Sequence, residues 1–329
     1  VNYSVSFSAL DLFEECSEKY RLRYRERLSS EKIPSPLFFG TAIDTAVEVL
    51  LLRKKVLLTD AELDLTLTET AHSLFDKTMR EQDGKLLERN VLCDYFQSDF
   101  DPNVLKIEDI KTLETSYPHI TDFGQFFDDC KAVFKKKQDL KKAQQLVYNH
   151  MCWLSLYRKG EMLLEAYENE VLPQIHEVFD IQKNIQLINA SGDKLRGKID
   201  FTASFVDDPS IFHIVDNKTS SSPYTADSVA NSDQLTIYCE AENVSNASYI
   251  VLEKKIRIKD PKTRTQVIKD EISEEQKQIV FDKIGIKLDN IAQDVFVKKD
   301  NPKDCFSYGK ICPYYKLCWK GSMEGLYKR

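Results

Sequence analysis

Apolar side chains recur at helical spacing through the first half of the chain and switch to strand-like runs after about residue 168. Residues 6–28, SFSALDLFEECSEKYRLRYRERL, predict a helix opened by Ser6 or Ser8, with Leu10, Phe13, Tyr20 and Tyr24 at roughly helical spacing. Pro34 and Pro36 interrupt the chain before a second helix, residues 38–55, striped by Ile43, Val47, Leu50 and Leu51. Gly40 near its start permits close backbone approach. Residues 60–165 read as almost wholly helical, with loops near 83–84, 101–102 and 117–118 and no internal repeat.

Strands follow: VFDIQKNIQLI, then LRGKIDFTASF and IFHIVDNKT, then ASYIVLEKK. Asp207, Asp208, Pro209 and Ser210 supply the turn between the middle two. An antiparallel hairpin about residue 208 makes paired residue numbers sum to about 416, which sets Asp200 across from Asp216. Lys218, two positions on, leaves the same face as Asp216. ADSVANSDQLTIYCEAEN predicts a helix with Gln234 and Tyr238 one turn apart. Residues 256–272 read as another hairpin, its tip at Lys259, Asp260, Pro261 and Lys262. Ser273 with Gln276 predicts a capping box for a long helix striped by Val280, Ile284, Leu288, Ile291 and Val295. The chain divides into N-terminal helices (1–59), a helical region (60–165), an α/β core (166–300) and a cysteine-rich tail (301–329).

Composition changes this picture little. The 329 residues, 42% apolar and 30% charged, suit an ordinary globular protein of one large domain or two small ones. No run of 18 apolar residues occurs and the first residues lack a basic flank before a long apolar stretch. The expectation is a cytoplasmic protein of a prokaryotic or phage-infected cell, with no membrane partner. Eight cysteines in that setting read as reduced thiols and metal ligands, not as a disulfide framework.

A net charge of −7 restricts any nucleic-acid surface to a local patch. One candidate lies within residues 131–160, where eight basic side chains meet one acid, Asp139. Lys135, Lys136, Lys137, Lys141 and Lys142 would contact phosphates and Trp153 would stack on bases; the alternative is a charged outer face over an aromatic core stripe. Arg21, Arg23, Arg25 and Arg27 pose the same choice between a solvated helix end and phosphate contacts. Asp44 and Glu48 lie one turn apart, either facing solvent together or with Asp44 turned inward as a metal ligand.

The strongest chemistry sits on the hairpin. Asp200, Asp216 and Lys218 interrupt an apolar context (Ile211, Phe212, Ile214, Val215), and burying them calls for a compensating cation. The two carboxylates and the main-chain carbonyl of Asn217 are oxygen ligands suited to Mg²⁺ or Mn²⁺. A metal there acidifies a water and stabilises a phosphoryl oxygen, while Lys218 orients that water or stabilises the pentacovalent state. The stretch from Gly192 to Lys198 imitates a phosphate-binding loop, but Ile199 replaces the required Ser or Thr and a strand follows where a helix is needed. The five histidines show no metal-ligand spacing.

GKID, IVDNKTS and QLTIY together resemble the motifs of the PD-(D/E)XK nuclease superfamily, and within it the RecB-like nucleases. SFSALDLFEECSEKYRLRY, FFGTAID and the cysteine tail extend the resemblance to both ends, while residues 60–165 match no known motif. The resemblance implies a restriction-endonuclease-like mixed sheet core flanked by helices, with a large helical insertion and a cysteine-rich metal-cluster tail. It makes Asp200 and Asp216 metal ligands, Lys218 the catalytic lysine, and Gln234 and Tyr238 a supporting motif. The family usually places His where this chain has Asp44. Cys16 at one end, with Cys305, Cys312 and Cys318 at the other, is similar to the family's [4Fe–4S] layout without its usual C-x2-C pair; zinc is the alternative. The implied function is metal-dependent DNA hydrolysis, exonuclease-like, acting on ends or single strands in recombination, repair, phage replication or CRISPR adaptation. A non-catalytic binding or assembly subunit, partnering a helicase or integrase, is the rival.

Overall fold

The computed structural model describes residues 4–31, 33–56, 61–82, 85–86, 91–92, 108–109, 111, 115, 142–188, 192, 194–255, 264–307 and 310–329. Strand β1 (Ser4–Ser6) leads into helix α1 (Phe7–Glu15), whose N-cap Ser6 accepts the Ala9 N–H at 3.3 Å. The single helix expected over residues 6–28 is broken at Cys16, which is extended (φ −168°, ψ 111°). Helix α2 (Ser17–Tyr20) and one wide helical turn through Arg25 follow, and Arg27 takes a left-handed backbone (φ 57°) that turns the chain into β2 (Leu28–Ser30).

After β3 (Ile33–Pro34), helix α3 (Ser35–Lys55) starts earlier than the prolines suggested. Pro36 is tolerated because first-turn N–H groups have no helical partner to lose. Helix α3 is long and apolar enough to cross a bilayer, but Phe38, Phe39, Ile43, Val47, Leu50 and Leu51 are all buried inside the protein. Next come α4 (Ala61–Arg80), β4 (Glu81–Gln82), β5 (Lys85–Leu86), β6 (Val91–Leu92) and α5 (Lys142–Ala166). The loops expected at 83–84, 101–102 and 117–118 lie outside the described residues.

The second half supplies the sheet: β7 (Ile175–Ile188), β8 (Lys194–Phe205), β9 (Asp208–Ser220), helix α6 (Asp233–Glu242), β10 (Asn246–Glu253) and β11 (Arg264–Glu271). Helix α7 (Glu274–Ala292), β12 (Phe306–Ser307), β13 (Lys310–Ile311), α8 (Tyr315–Lys320) and β14 (Leu326–Lys328) complete it. Strand order is β1-β8-β9-β10-β11, with β7 on the other edge of β8. The pairings β9–β10 and β1–β8 are parallel, and β7–β8, β8–β9 and β10–β11 are antiparallel. The basic tip at residues 259–262 is outside the described residues. Ser273 caps α7 through the Gln276 N–H at 3.1 Å. Val280, Ile284, Leu288 and Ile291 are buried, but Val295 lies past the helix end and is exposed.

Two cores sandwich the sheet. Helices α3, α4 and α5 pack on one face with Phe201, Ala203, Phe205, Val215 and Ile250. Helices α1, α6 and α7 pack on the other with Leu195, Ile199, Ile214, Ala247 and Val251. Phe201 and Ile199 have the same alternation parity yet enter opposite cores, so β8 turns over at Asp200. Gln182, across from that point on β7, has a left-handed backbone (φ 54°).

The other edge of β8 is divided. Strand β9 pairs with it at 201–205 and β1 at 194–196, so residues 197–200 have neither neighbour on that edge. The sheet forks there.

Candidate functional site

The fork holds the charged residues of the hairpin. Phe201↔Val215, Thr202↔Ile214 and Ala203↔His213 keep the expected register, and the next pair would be Asp200 and Asp216. The strands part instead. Asp200 Oδ2 accepts the Asn217 main-chain N–H at 2.8 Å, so a carboxylate bridges the gap that a ladder bond would close.

Asp216 is buried, and its two oxygens face different partners: Oδ1 accepts from Gln234 Nε2 at 2.8 Å and Oδ2 lies 2.6 Å from Lys218 Nζ. Lys218 Nζ in turn donates to Gln234 Oε1 at 2.9 Å. Gln234 Nε2 also reaches Tyr238 Oη at 3.1 Å, one turn along α6. Burial raises the Tyr238 phenol, while Gln234 and the main chain of Lys198, on the stretch of β8 that lacks a neighbour on this edge, pull it back. Gly197 makes this approach feasible, because a Cβ there would sit 2.6 Å from Tyr238 Cε1.

Electrostatics tie Asp44 to this group. It is open to solvent on α3, yet the protein around it, with Asp216 adding, pushes its carboxyl up to about 7. Burial raises Asp200 well above the ordinary carboxylate range, reinforced by Asp216 and Asp44. Burial also raises Asp216, with Lys218 pulling it back. Lys218 loses hydration by burial, but the adjacent Asp216 outweighs that and holds the ammonium above its usual range. Three carboxylates thus share one facing ammonium.

The donor set suits a hard divalent cation: carboxylate oxygens that disfavour one another's ionisation, with the Asn217 carbonyl nearby in sequence. Among the described residues, no three His, Cys, Asp or Glu side chains gather as a group that could hold a metal ion. Asp216 engages Gln234 and Lys218 instead, so the ammonium stands where positive charge is wanted.

Two residues at the site follow no sequence pattern. Tyr167, fully buried after α5, donates to Asn217 Oδ1 at 3.3 Å. Burial, then Asp200 and Asp44, raise its phenol far above the usual range. Tyr249 on β10 faces Lys218.

Among the described residues, the four cysteines named at the chain ends do not gather, three or more together, as a group that could hold a metal ion, although some of them act electrostatically on one another. Cys318 is raised by burial and then by Glu18, Cys16 and Cys305; Cys312 is pushed up to about 11 by burial, with Cys305 and Cys318 adding. All four thiols are free, and the Trp319 indole N–H donates to Cys305 Sγ at 3.4 Å. Cys16 Sγ lies 4.0 Å from the Val297 carbonyl. A small core of Leu22, Leu28, Tyr314 and Leu326 joins the two ends, aligned by the β2–β14 pairing.

The expected nucleic-acid patch fares differently. Lys135, Lys136, Lys137 and Lys141 lie outside the described residues, and Lys142 opens α5. Trp153 is 3% exposed and its N–H donates to the Met79 carbonyl at 2.6 Å. A ring held in the core offers no face to a base, which corrects the stacking expectation. Arg158 forms a bidentate pair with Asp109 (2.6 and 2.8 Å) and Lys159 is buried, so the later members of that basic run point inward.

The model of the PD-(D/E)XK nuclease superfamily matches residues 4–319. No curated protein matches the chain. Thirteen chains of solved structures do; in the crystal structure of SSO0001 the match has 15% identity and a TM-score of 0.30, over 64% of this chain and 94% of that one.

Proposed function

The chain belongs to the PD-(D/E)XK nuclease superfamily, and from that premise we propose that it is a Mg²⁺- or Mn²⁺-dependent DNA nuclease of the RecB-like kind, trimming ends or single strands. Proteins of this superfamily typically hydrolyse phosphodiesters with Mg²⁺ or Mn²⁺. The observation that carries the reading is the continuous chain Asp216–Lys218–Gln234–Tyr238, beside Asp200 in the sheet fork.

In this reading Asp200, Asp216 and Asp44, with the Asn217 carbonyl, would hold the cation. Bound there, it would acidify a water and offset charge on a phosphoryl oxygen. Lys218, kept protonated by Asp216, presents its ammonium to negative charge developing on the phosphate. Gln234 keeps that ammonium and the Asp216 carboxylate in fixed relation, and Tyr238 holds Gln234 against the open edge of β8. Asn217 ties Asp200 to the same strand as Asp216.

The cysteine centre is proposed to hold a [4Fe–4S] cluster, with zinc as the alternative occupant. Support comes from the resemblance in sequence and from Cys318 feeling the charge of both Cys16 and Cys305. The thiols do not stand together as a ready ligand set, so loading would draw them closer. For the nuclease, labelled linear DNA is incubated with the isolated protein and either metal. Degradation that disappears in Asp216→Ala is the expected result. Cleavage that needs metal yet survives the substitution would overturn the site.

A further inference from the structure

Tyr249 sits at the centre of contacts that no motif announces. It lies beside Asp216 in the parallel β9–β10 ladder and is 6% exposed. Its ring centroid is 5.8 Å from Lys218 Nζ, within cation–π reach. Its hydroxyl is 2.6 Å from Ser232 Oγ in a buried bond. Ser232 is the N-cap of α6, and its Oγ also accepts the Leu235 N–H at 3.1 Å. Two residues on is Gln234, which joins Asp216 Oδ1 to Lys218 Nζ. Tyr224 packs edge-on against the ring, 5.5 Å between centroids.

We propose that Tyr249 is a positioning residue: its hydroxyl ties the first turn of α6 to the sheet and so holds Gln234 between Asp216 and Lys218, while its ring walls in the ammonium. The need is physical. A helix N-terminus frays more readily than its interior, whereas one amide bridging a carboxylate and an ammonium must be held to about half an ångström. Capping alone satisfies the helix; a bond from the capping residue to the central sheet fixes where the helix begins. Burial pushes the Tyr249 phenol up to about 12, so it stays neutral and serves by hydrogen bonding.

The inference rests on the nuclease reading for its rate measurements and on the geometry alone for its exchange measurement. Tyr249→Phe keeps the ring and deletes the tether. The expected result is a kcat lower by roughly five- to tenfold with KM unchanged, together with faster hydrogen exchange at the first-turn amides of α6. In a Gln234→Ala background the same change costs no further rate, because the tether acts through Gln234. Ser232→Ala breaks the same bond from the helix side but also removes the cap to the Leu235 N–H, so it is used as a background. There Tyr249→Phe is expected to change neither exchange nor rate further, and a further loss overturns the proposal. Wild-type kcat and exchange in Tyr249→Phe, or rate losses that multiply with those of Gln234→Ala, overturn the proposal. Should the wild-type protein cleave no DNA, the nuclease reading fails by itself; exchange in α6 then decides for or against the tether.

Discussion

At the level of single residues, space and charge around the fork set what the site tolerates. A Cβ on Gly197 would meet Tyr238 Cε1 at 2.6 Å and Ile185 Cδ1 at 3.3 Å. Gly197→Ala must therefore push Tyr238 away from Gln234, and overpacking of this kind costs about 1–3 kcal/mol; lower melting temperature and lost cleavage are expected together. Gly40 is the contrast. Its added Cβ would make only an ordinary contact, 3.8 Å from Thr219 Oγ1, so the close approach expected from sequence is not what glycine provides there. Gly40→Ala, inside α3, is expected to raise stability by about 0.5–1 kcal/mol, measured by denaturant unfolding. Charge gives a second prediction. Asp200 is raised chiefly by desolvation, with Asp216 and Asp44 adding, and it carries the argument. Asp44 is raised in the same direction, to about 7, but its exposed surface weakens the share that desolvation gives it. A carboxyl whose folded pKa exceeds its unfolded value leaves the native state holding more protons, so stability is full below the unfolded pKa near 3.8 and falls as pH rises through the folded values. The metal-free protein is thus expected to lose melting temperature between about pH 4 and 8. Asp200→Asn flattens that slope and added Mg²⁺ opposes it at the alkaline end. A slope unchanged in Asp200→Asn would count against the charge crowding.

At the level of elements, alternation made the β8–β9 hairpin legible, with Phe201↔Val215, Thr202↔Ile214 and Ala203↔His213 in the expected register. The strands part before Asp200 and Asp216 pair, and the turn falls at Val206 and Asp207, with Asp208, Pro209 and Ser210 already in β9. Period-two patterning fixes which residues share a face, and two buried faces leave one register that serves both. The fork was not legible, because it arises where β1 replaces β9 along β8, a pairing between residues 4–6 and 194–196 that no local pattern encodes. The break at Cys16 is not legible for a related reason: its surroundings have helical propensity, and the contact with the Val297 carbonyl comes from the far end of the chain. Helices α4 and α5 show the same limit. Their aromatic run resembles a stacking platform, yet Trp153 donates to Met79 inside the core and Tyr157 Oη donates to Asp76 at 2.7 Å. Trp153→Phe keeps the packing and leaves a buried carbonyl without its donor. The expected cost is about 1–3 kcal/mol of stability with DNA affinity unchanged, read by thermal unfolding and by a salt-titrated binding assay. A loss of affinity in a variant of native stability would return Trp153 to the nucleic-acid surface.

At the level of the whole molecule, the chain ends close on each other. Strand β14 pairs with β2, the Tyr314 hydroxyl donates to the Leu28 carbonyl at 2.8 Å, and the Arg329 N–H donates to the Arg27 carbonyl at 2.8 Å. The core beneath is small: Leu22, Leu28, Tyr314 and Leu326, with Cys312, Leu317 and Cys318 against it. So few apolar side chains stabilise an interface weakly, and thiols near neutrality add little while burial keeps them protonated. Metal ligation changes both terms, since it requires thiolates and links segments nearly the full chain length apart. The sequence placement of Cys16 early and Cys305, Cys312 and Cys318 late suggests one ligand set, but among the described residues no three of them gather as a metal-binding group. What the structure adds is the contact between the ends through β2 and β14. Iron and sulfide are expected in protein purified without oxygen. Removing the metal, or substituting Cys16→Ser, is expected to open residues 21–30 and 301–329 to limited proteolysis while the sheet core, β1 and α1 included, stays protected by its own large apolar clusters. Zinc without iron would overturn the cluster while keeping the staple. Protease resistance of both ends in a metal-free Cys16→Ser protein would remove the staple itself, leaving β2–β14 pairing as what holds the termini together.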